Sequence, residues 1–419
     1  MQAVMDQGDS TWSLHASRES RDCINDIRMC EEVHFKDVLE RRNKDLDLIK
    51  LSVGCPCVYG LFSPHPVVTE AVKKVLDEGK YNGYGPSNGL LVTRTALAEY
   101  FSTEDTPLTA EDVVMATSAA GALELSITVF TNPGQNILVP KPGFAIFRCL
   151  AFARGVECKM YPLLPERSWE VDLEAMEKLI DHNTAAIVVN NPSNPCGSNY
   201  SRKHLEEILA VAERHHIPII ADEIYHGMVY EGQVYHPLGP LSKSVPILTC
   251  GGMSKRFVVP GWRVGWILIH DKKNAFKAEI TPGIKRLAMK LLGPNTLVQA
   301  ALPDILRNTP PSFFQNTLRT LESSAKQCYT ELLDAPGLHP VMPAASMYMM
   351  VTIDIEHFPE FKDEIDFTKQ LVLEQSVFCL PGMAFRYPNC FRIALVMPKE
   401  KIQEACTRMK NFCSKHYKA

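Results

Sequence analysis

Apolar residues recur along the chain with different periods, and the changes of period mark out its architecture. Val67, Val68, Ala71, Val72, Val75 and Leu76 fall at helical spacing, with Pro66 where a helix opens and Gly79 where one closes. Between about residues 112 and 269 the pattern becomes short apolar runs, at 113–116, 137–139, 186–189, 218–221 and 247–249, alternating with helical segments such as 172–181 and 202–215. Each run is continuously apolar, as strands buried on both faces are. The alternation predicts an α/β fold, a large domain with a mostly parallel central sheet flanked by helices.

Beyond Gly293-Pro294 the pattern changes again. One long helical stretch is expected over 298–333, then strands near 347–353, 377–380 and 391–396, and a closing helix over 399–416. That order suits a small α+β domain. The first fifty residues are polar, apart from an amphipathic helix expected over 33–45, and order begins at Ile49-Lys50-Leu51-Ser52-Val53-Gly54. The expected division is an arm over 1–50, the first part of the small domain over 51–70, the large domain over 71–297 and the rest of the small domain over 298–419. The chain has no internal repeat.

Composition narrows the function. Hydrophobic residues are 46% and charged residues 22%, as in folded water-soluble proteins. A net charge of -4 without long blocks of one sign points away from nucleic acid and anionic membranes as partners. No apolar run reaches the roughly 18 residues of a membrane span; the best candidate, 257–270, is broken by Pro260 and Arg263. Asp6 and Asp9 stand where a leader would be basic and then apolar, so a cytoplasmic location is expected. The 13 cysteines include no CxxC pair, which fits reduced thiols, and Cys55-Pro56-Cys57 is the only close pair. Neither these nor His215 and His216 have companions at ligand spacing, so no structural metal is expected.

Three polar segments fall where strands end. Asn191-Pro192-Ser193-Asn194-Pro195-Cys196-Gly197 follows the third run, Asp222-Glu223-Ile224-Tyr225 the fourth, and Gly251-Gly252-Met253-Ser254-Lys255-Arg256 the fifth. In open α/β sheets the carboxyl ends of strands are where ligands collect. The glycines ahead of Lys255 let a loop present its amine, and Pro260-Gly261-Trp262-Arg263 follows closely.

Taken in order, "NPSNPCGS", "DEIY", "SK" and "VPGWRVGW" resemble the fold-type I aminotransferases that use pyridoxal 5'-phosphate (PLP). Within that superfamily they are most similar to the tyrosine aminotransferase family, particularly its broad-specificity protozoan members, from about residue 50 onward. The resemblance implies that 71–297 binds PLP and that Lys255 is the lysine bonded to the cofactor aldehyde, later carrying a proton. It implies that Asp222 sits against the pyridine nitrogen, that Tyr225 and Asn194 reach the phenolic oxygen, and that Phe144 stacks on the ring. For the phosphate it points to Ser118, Ala119 and Ala120 at a helix start, with Ser254 and Arg263. For the substrate carboxylate it points to Arg392, Gly54 and Asn194. Tyr84, in "NGYGPSNG", would reach a neighbouring subunit's cofactor, which implies a homodimer with shared sites.

Gly83, Gly85 and Gly89 lack dinucleotide-motif spacing, so a nucleotide site is not expected there. Three places depart from the family pattern: Gly252, where relatives commonly have serine, Cys55, where they have aspartate, and Ala145-Ile146-Phe147, where they usually have a proline and then a tyrosine. Other readings stand beside these. Asp222 and Asn194 are ordinary turn residues, Tyr225 and Phe144 ordinary core aromatics, Ser118 an ordinary N-cap, and Arg392 half of a buried ion pair. The implied activity is ping-pong transfer of an amino group from tyrosine, or another aromatic or large apolar amino acid, to a 2-oxo acid such as 2-oxoglutarate or pyruvate. A β-elimination lyase or cyclopropane-forming synthase on the same fold, and a non-catalytic PLP-fold binding protein, remain alternatives. The part played by Lys285 or Arg286 toward an acidic substrate is left open.

Overall fold

The computed structural model describes residues 15–419. The first 14 residues of the expected arm, with Asp6 and Asp9, lie outside the described residues. At the centre is an eight-stranded sheet in the order Val113–Ala116, Gly265–His270, Ile247–Gly252, Ile219–Asp222, Thr184–Asn190, Asn136–Lys141, Glu157–Leu164, Glu170–Val171. The four inner pairings from Ile247–Gly252 to Glu157–Leu164 are parallel, whereas Gly265–His270 and Glu170–Val171 run opposite to their neighbours. The sheet is therefore mostly parallel, and the carboxyl ends at Ala116, Asn190, Asp222 and Gly252 share one edge. Helices Ser118–Phe130, Ile146–Ala153 and Arg202–Arg214 cover its faces, burying Leu123, Ile127, Phe147, Leu205 and Ile208.

Local chemistry accounts for the element ends. Helix Pro66–Glu78 opens on a proline that lacks the donor it would otherwise leave unpaired, and closes on Gly79 at φ 67°, a left-handed position. Helix Arg202–Arg214 is capped by the Ser201 hydroxyl, which accepts the His204 N–H at 3.2 Å. The helical stretch expected over 298–333 is two helices, Thr296–Asn308 and Pro311–Leu333. Pro310 and Pro311 break it, because neither can donate to the preceding turn.

Both expected divisions, at 70/71 and 297/298, fall inside helices, Pro66–Glu78 and Thr296–Asn308. Val68, Ala71 and Val75 of the first pack with Val298, Leu302 and Ile305 of the second, over Leu97 and Val113. Both helices thus sit on the flank of the large sheet.

The small domain holds an antiparallel sheet in the order Leu338–Pro340, Tyr348–Ile353, Cys390–Ala394, Leu380–Pro381. The strand expected over 377–380 is split: Leu380–Pro381 joins this sheet, while Val377–Phe378 pairs in parallel with Ile49–Lys50. The end of the arm is therefore part of the small domain. The helix expected over 33–45 is a π-helical turn, Cys30–Phe35, followed by Lys36–Glu40. Asn43 stops it by turning to the backbone of the neighbouring helix, donating its side-chain amide to Glu374 O at 3.1 Å. Cys30, Phe35 and Val38 are buried against Val372, Phe378 and Phe385, so this part of the arm is packed structure. Among the described residues, no helix is long and apolar enough to cross a membrane, and no cluster of three or more His, Cys, Asp or Glu could hold a metal ion.

Candidate active site

The shared carboxyl edge of the large sheet faces the small-domain sheet across a cavity of about 410 Å³. Gly54, Ser118, Ala119, Ala120, Phe144, Asn194, Asp222, Tyr225, Ser254, Lys255, Arg263 and Arg392 all line it. Positions spread over more than three hundred residues converge because successive parallel strands deliver their following loops to one edge. Tyr84 does not line it: the side chain is 91% exposed, beside Gly85 and the 291–297 segment. Neither Lys285 nor Arg286 lines it, and Lys285 pairs with Glu111 at 2.6 Å.

Asp222 ends the Ile219–Asp222 strand in register with Asn190 and Cys250, and the Asn190 amide donates to its carbonyl at 3.1 Å. Its carboxylate is buried, and Ile224 N–H donates to it at 3.3 Å. Burial pushes its pKa up to about 7, since no cation among the described residues is paired with it. Lys255, in the turn after the neighbouring strand, donates its Nζ to Gly54 O at 2.7 Å.

Arg392 is held on three sides. Nη1 donates to Asn194 Oδ1 and Nη2 to Ser52 O, each at 2.8 Å, and the guanidinium lies 4.2 Å from the Tyr348 ring centroid. Strand register explains the stacking. Tyr348 is opposite Ala394, so Arg392, two residues along, projects from the same face. Burial pulls the guanidinium pKa down, and Arg392 Nε has no partner among the described residues, as expected of a cation whose anion arrives with substrate. The buried ion-pair reading does not describe this residue, because no carboxylate of the described residues pairs with it.

The other end of the cavity is built for an anion. Helix Ser118–Phe130 begins without a side-chain cap, so Ser118 is not an ordinary N-cap and the first N–H groups stay free for a ligand. Ser118 sits at φ 69° and Arg263 at φ 56°, left-handed positions that cost a non-glycine residue on the order of 1 kcal/mol each. In that geometry Arg263 Nη2 reaches Ser118 Oγ at 2.7 Å and Nη1 reaches Pro260 O at 3.0 Å. Gly265 permits the close approach of strand and helix start, since a Cβ there would lie 2.3 Å from Ser118 C and 2.6 Å from Ala119 N. At Gly252 a Cβ would lie 3.1 Å from Val264 O and 3.3 Å from Ala119 N. This helix start therefore sits tightly against a strand end that carries no side chain. A buried carboxylate at one end, an uncapped helix start with an arginine at the other, Phe144 alongside and a lysine between them fit PLP.

Sequence reasoning missed two contributors. Tyr348, whose hydroxyl accepts from the Tyr225 hydroxyl at 3.0 Å, lies in a strand that gave no chemical signal. Burial raises the Tyr348 phenol, but the charges of Lys255 and Arg392 and the bond from Tyr225 outweigh it, leaving Tyr348 below and Tyr225 well above the ordinary value. The arm is the second: Asn25, Ile27, Arg28 and Glu31 form one wall of the cavity, and Cys55 lines it as well. Glu31 pairs with Lys50, next to the ordered "LSVG", a contact that no motif in the sequence signals.

Comparison with known proteins agrees with this geometry. Residues 47–409 match the family described as aminotransferase class I and II. The chain belongs to that family. It is a PLP-dependent aminotransferase, and structures similar to it in fold include enzymes of the aspartate aminotransferase type. It is 49% identical to the tyrosine aminotransferase of Mus musculus over 97% of this chain and 88% of that protein. Identity to the tyrosine aminotransferase of Dictyostelium discoideum is 41%, over 97% of this chain and 98% of that protein. The tyrosine aminotransferase structure from Leishmania infantum superposes with a TM-score of 0.93 at 32% identity, covering 98% of this chain and all of that one. Identity is thus higher to the mouse protein than to the protozoan one.

Proposed function

We propose that this aminotransferase takes the amino group of L-tyrosine, or of another aromatic or large apolar amino acid, and passes it to a 2-oxo acid, 2-oxoglutarate or pyruvate, by a ping-pong course through one site. The convergence of Lys255, Asp222, Tyr225 and Arg392 on a single cavity carries this reading. The tyrosine preference draws on the relatives' activity and on the apolar wall of Ile27, Leu123, Phe144, Ile146 and Leu380.

PLP, when bound, supplies an aldehyde for the amine and an electron sink for the pair left by the departing Cα proton. Lys255 acts as a base only as its free amine, and Gly54 O orients Nζ toward the cavity where that proton leaves. Asp222 would hold a proton on the pyridine nitrogen; an incoming cation relieves the burial of its carboxylate. Tyr225, whose hydroxyl donates to Tyr348, would reach the phenolic oxygen, while Asn194 shares its side chain with Arg392. Ser118, Ala119, Ala120, Ser254 and Arg263 would hold the phosphate. Arg392 clamps the α-carboxylate that every donor and acceptor carries, so one site serves both half-reactions.

We read the enzyme as a homodimer with shared sites. Support comes from the exposed apolar patch of Tyr84, Met289, Leu291 and Leu292, from which Tyr84 would reach a partner's phosphate. A cytoplasmic setting is supported by 13 cysteines that are all free thiols. The test is amine transfer from a panel of donors to each 2-oxo acid. No turnover with any pair, despite bound cofactor, would sink the reading. Pyruvate and ammonia released from a cysteine conjugate without an acceptor would favour the lyase instead.

A further inference from the structure

A pair of thiols outside the chemistry above joins the arm to the large domain. Cys23 follows the arm helix Arg18–Asp22 and is exposed; Cys149 lies in helix Ile146–Ala153 and is buried; their sulfurs are 3.3 Å apart. The approach belongs to a built seam. The two helices pack together, and Arg148, beside Cys149, reaches Asp26 of the arm. Asp26 also accepts from Arg386 of the small domain at 2.8 Å, so this point of the arm is tied to both domains. Directly around it, Asn25, Ile27, Arg28 and Glu31 form a wall of the cavity.

We propose that Cys23 and Cys149 are a peroxide-sensitive thiol pair whose disulfide locks the arm across the mouth of the active site. The exposed Cys23 sulfur, as thiolate, attacks one peroxide oxygen; the O–O bond breaks, water leaves and a sulfenic acid forms. The Cys149 sulfur then attacks the Cys23 sulfur, the S–O bond breaks and a second water leaves. Two thiols together lose two protons and two electrons, and one peroxide becomes two waters. A dithiol reductant reverses the bond. The sulfurs need move only about an ångström to bond. Burial pushes Cys149 up to about 12, which suits the resolving partner better than the first reactant. Another close pair, Cys328 and Cys406 at 3.7 Å, is buried in the small-domain core, where peroxide has no exposed sulfur to meet.

The test treats the holoenzyme with hydrogen peroxide, maps its cysteine peptides by mass spectrometry and follows amide exchange over 18–29 in the same samples. The expected result is a peptide joining Cys23 to Cys149, a mass lower by two hydrogens, and arm exchange slowed about ten-fold, all reversed by dithiothreitol. Cys23→Ser should abolish these changes and leave untreated activity unchanged. Cys149→Ser should leave Cys23 as a sulfenic acid that dimedone traps. Cys23 carried to sulfinic acid in the unmutated enzyme with Cys149 still free overturns the pair. A joined peptide without slower arm exchange overturns the lock.

Discussion

The Tyr225 hydroxyl donates to the Tyr348 hydroxyl across 3.0 Å, and the ring of Tyr348 lies under Arg392 at 4.2 Å. One aromatic side chain thereby joins the cofactor end of the site to the carboxylate end. Gly54, the acceptor for Lys255, fits against the same hydroxyl, which a Cβ there would approach to 2.3 Å.

Tyr348→Phe removes the acceptor of Tyr225 and keeps the ring beneath Arg392. Losing one buried hydrogen bond, about 1 kcal/mol, should lower kcat roughly five-fold while KM changes less than about two-fold. Tyr348→Leu also removes the stacking surface and should raise KM. Steady-state kinetics separates the two, and a Phe variant that raised KM with kcat intact would reverse the assignment.

Lys255→Ala should reduce transamination by roughly a thousand-fold or more, because no other lysine among the described residues lines the cavity. Circular dichroism should be unchanged, since the bond lost is to a carbonyl that cavity water can reach. Retention of a tenth of the activity would remove Lys255 from the reaction.

Asp222 gives the cofactor-free chain a distinct pH dependence. Its pKa is about 7 folded, against an unfolded value near 4, so between those values the folded chain holds the extra proton. Stability is then fully present below the unfolded value and falls as pH rises toward the folded one, by on the order of 4 kcal/mol in total. Asp222→Asn should abolish this fall while weakening PLP binding. Melting curves of both cofactor-free proteins between about pH 4 and 8 check it; wild type and variant showing the same slope would exclude the effect.

Arg392→Lys keeps a positive charge and loses the planar fork shared between Asn194 and Ser52 O. We expect kcat/KM to fall about a hundred-fold for donors and acceptors alike, because both present a carboxylate. A loss confined to one half-reaction would show that the other acid binds elsewhere.

The sequence made most of the cofactor end legible. Lys255, Asp222 and Asn194 follow apolar runs, and the physics of a parallel sheet sends such positions to one edge. Tyr348 was hidden because its meaning depends on cross-strand register with Ala394, which no spacing along the chain encodes. The arm residues were hidden for a related reason: Arg28 and Glu31 are ordinary surface charges until Phe35 and Val38 anchor the segment against the small domain. The break at Pro310-Pro311 was visible, yet the apolar pattern on either side is strong enough to read through it.

The parallel pairing of Ile49–Lys50 with Val377–Phe378 sets an order of events during synthesis. The residues that open the small domain leave the ribosome early and have no partner strand until nearly the whole chain has been made. The large sheet, complete by His270, can assemble meanwhile. Gly54 and Ser52, which follow Lys50 directly, come to rest only with that last pairing. A chain shortened before Val377 should therefore retain the phosphate cradle and lack a carboxylate clamp.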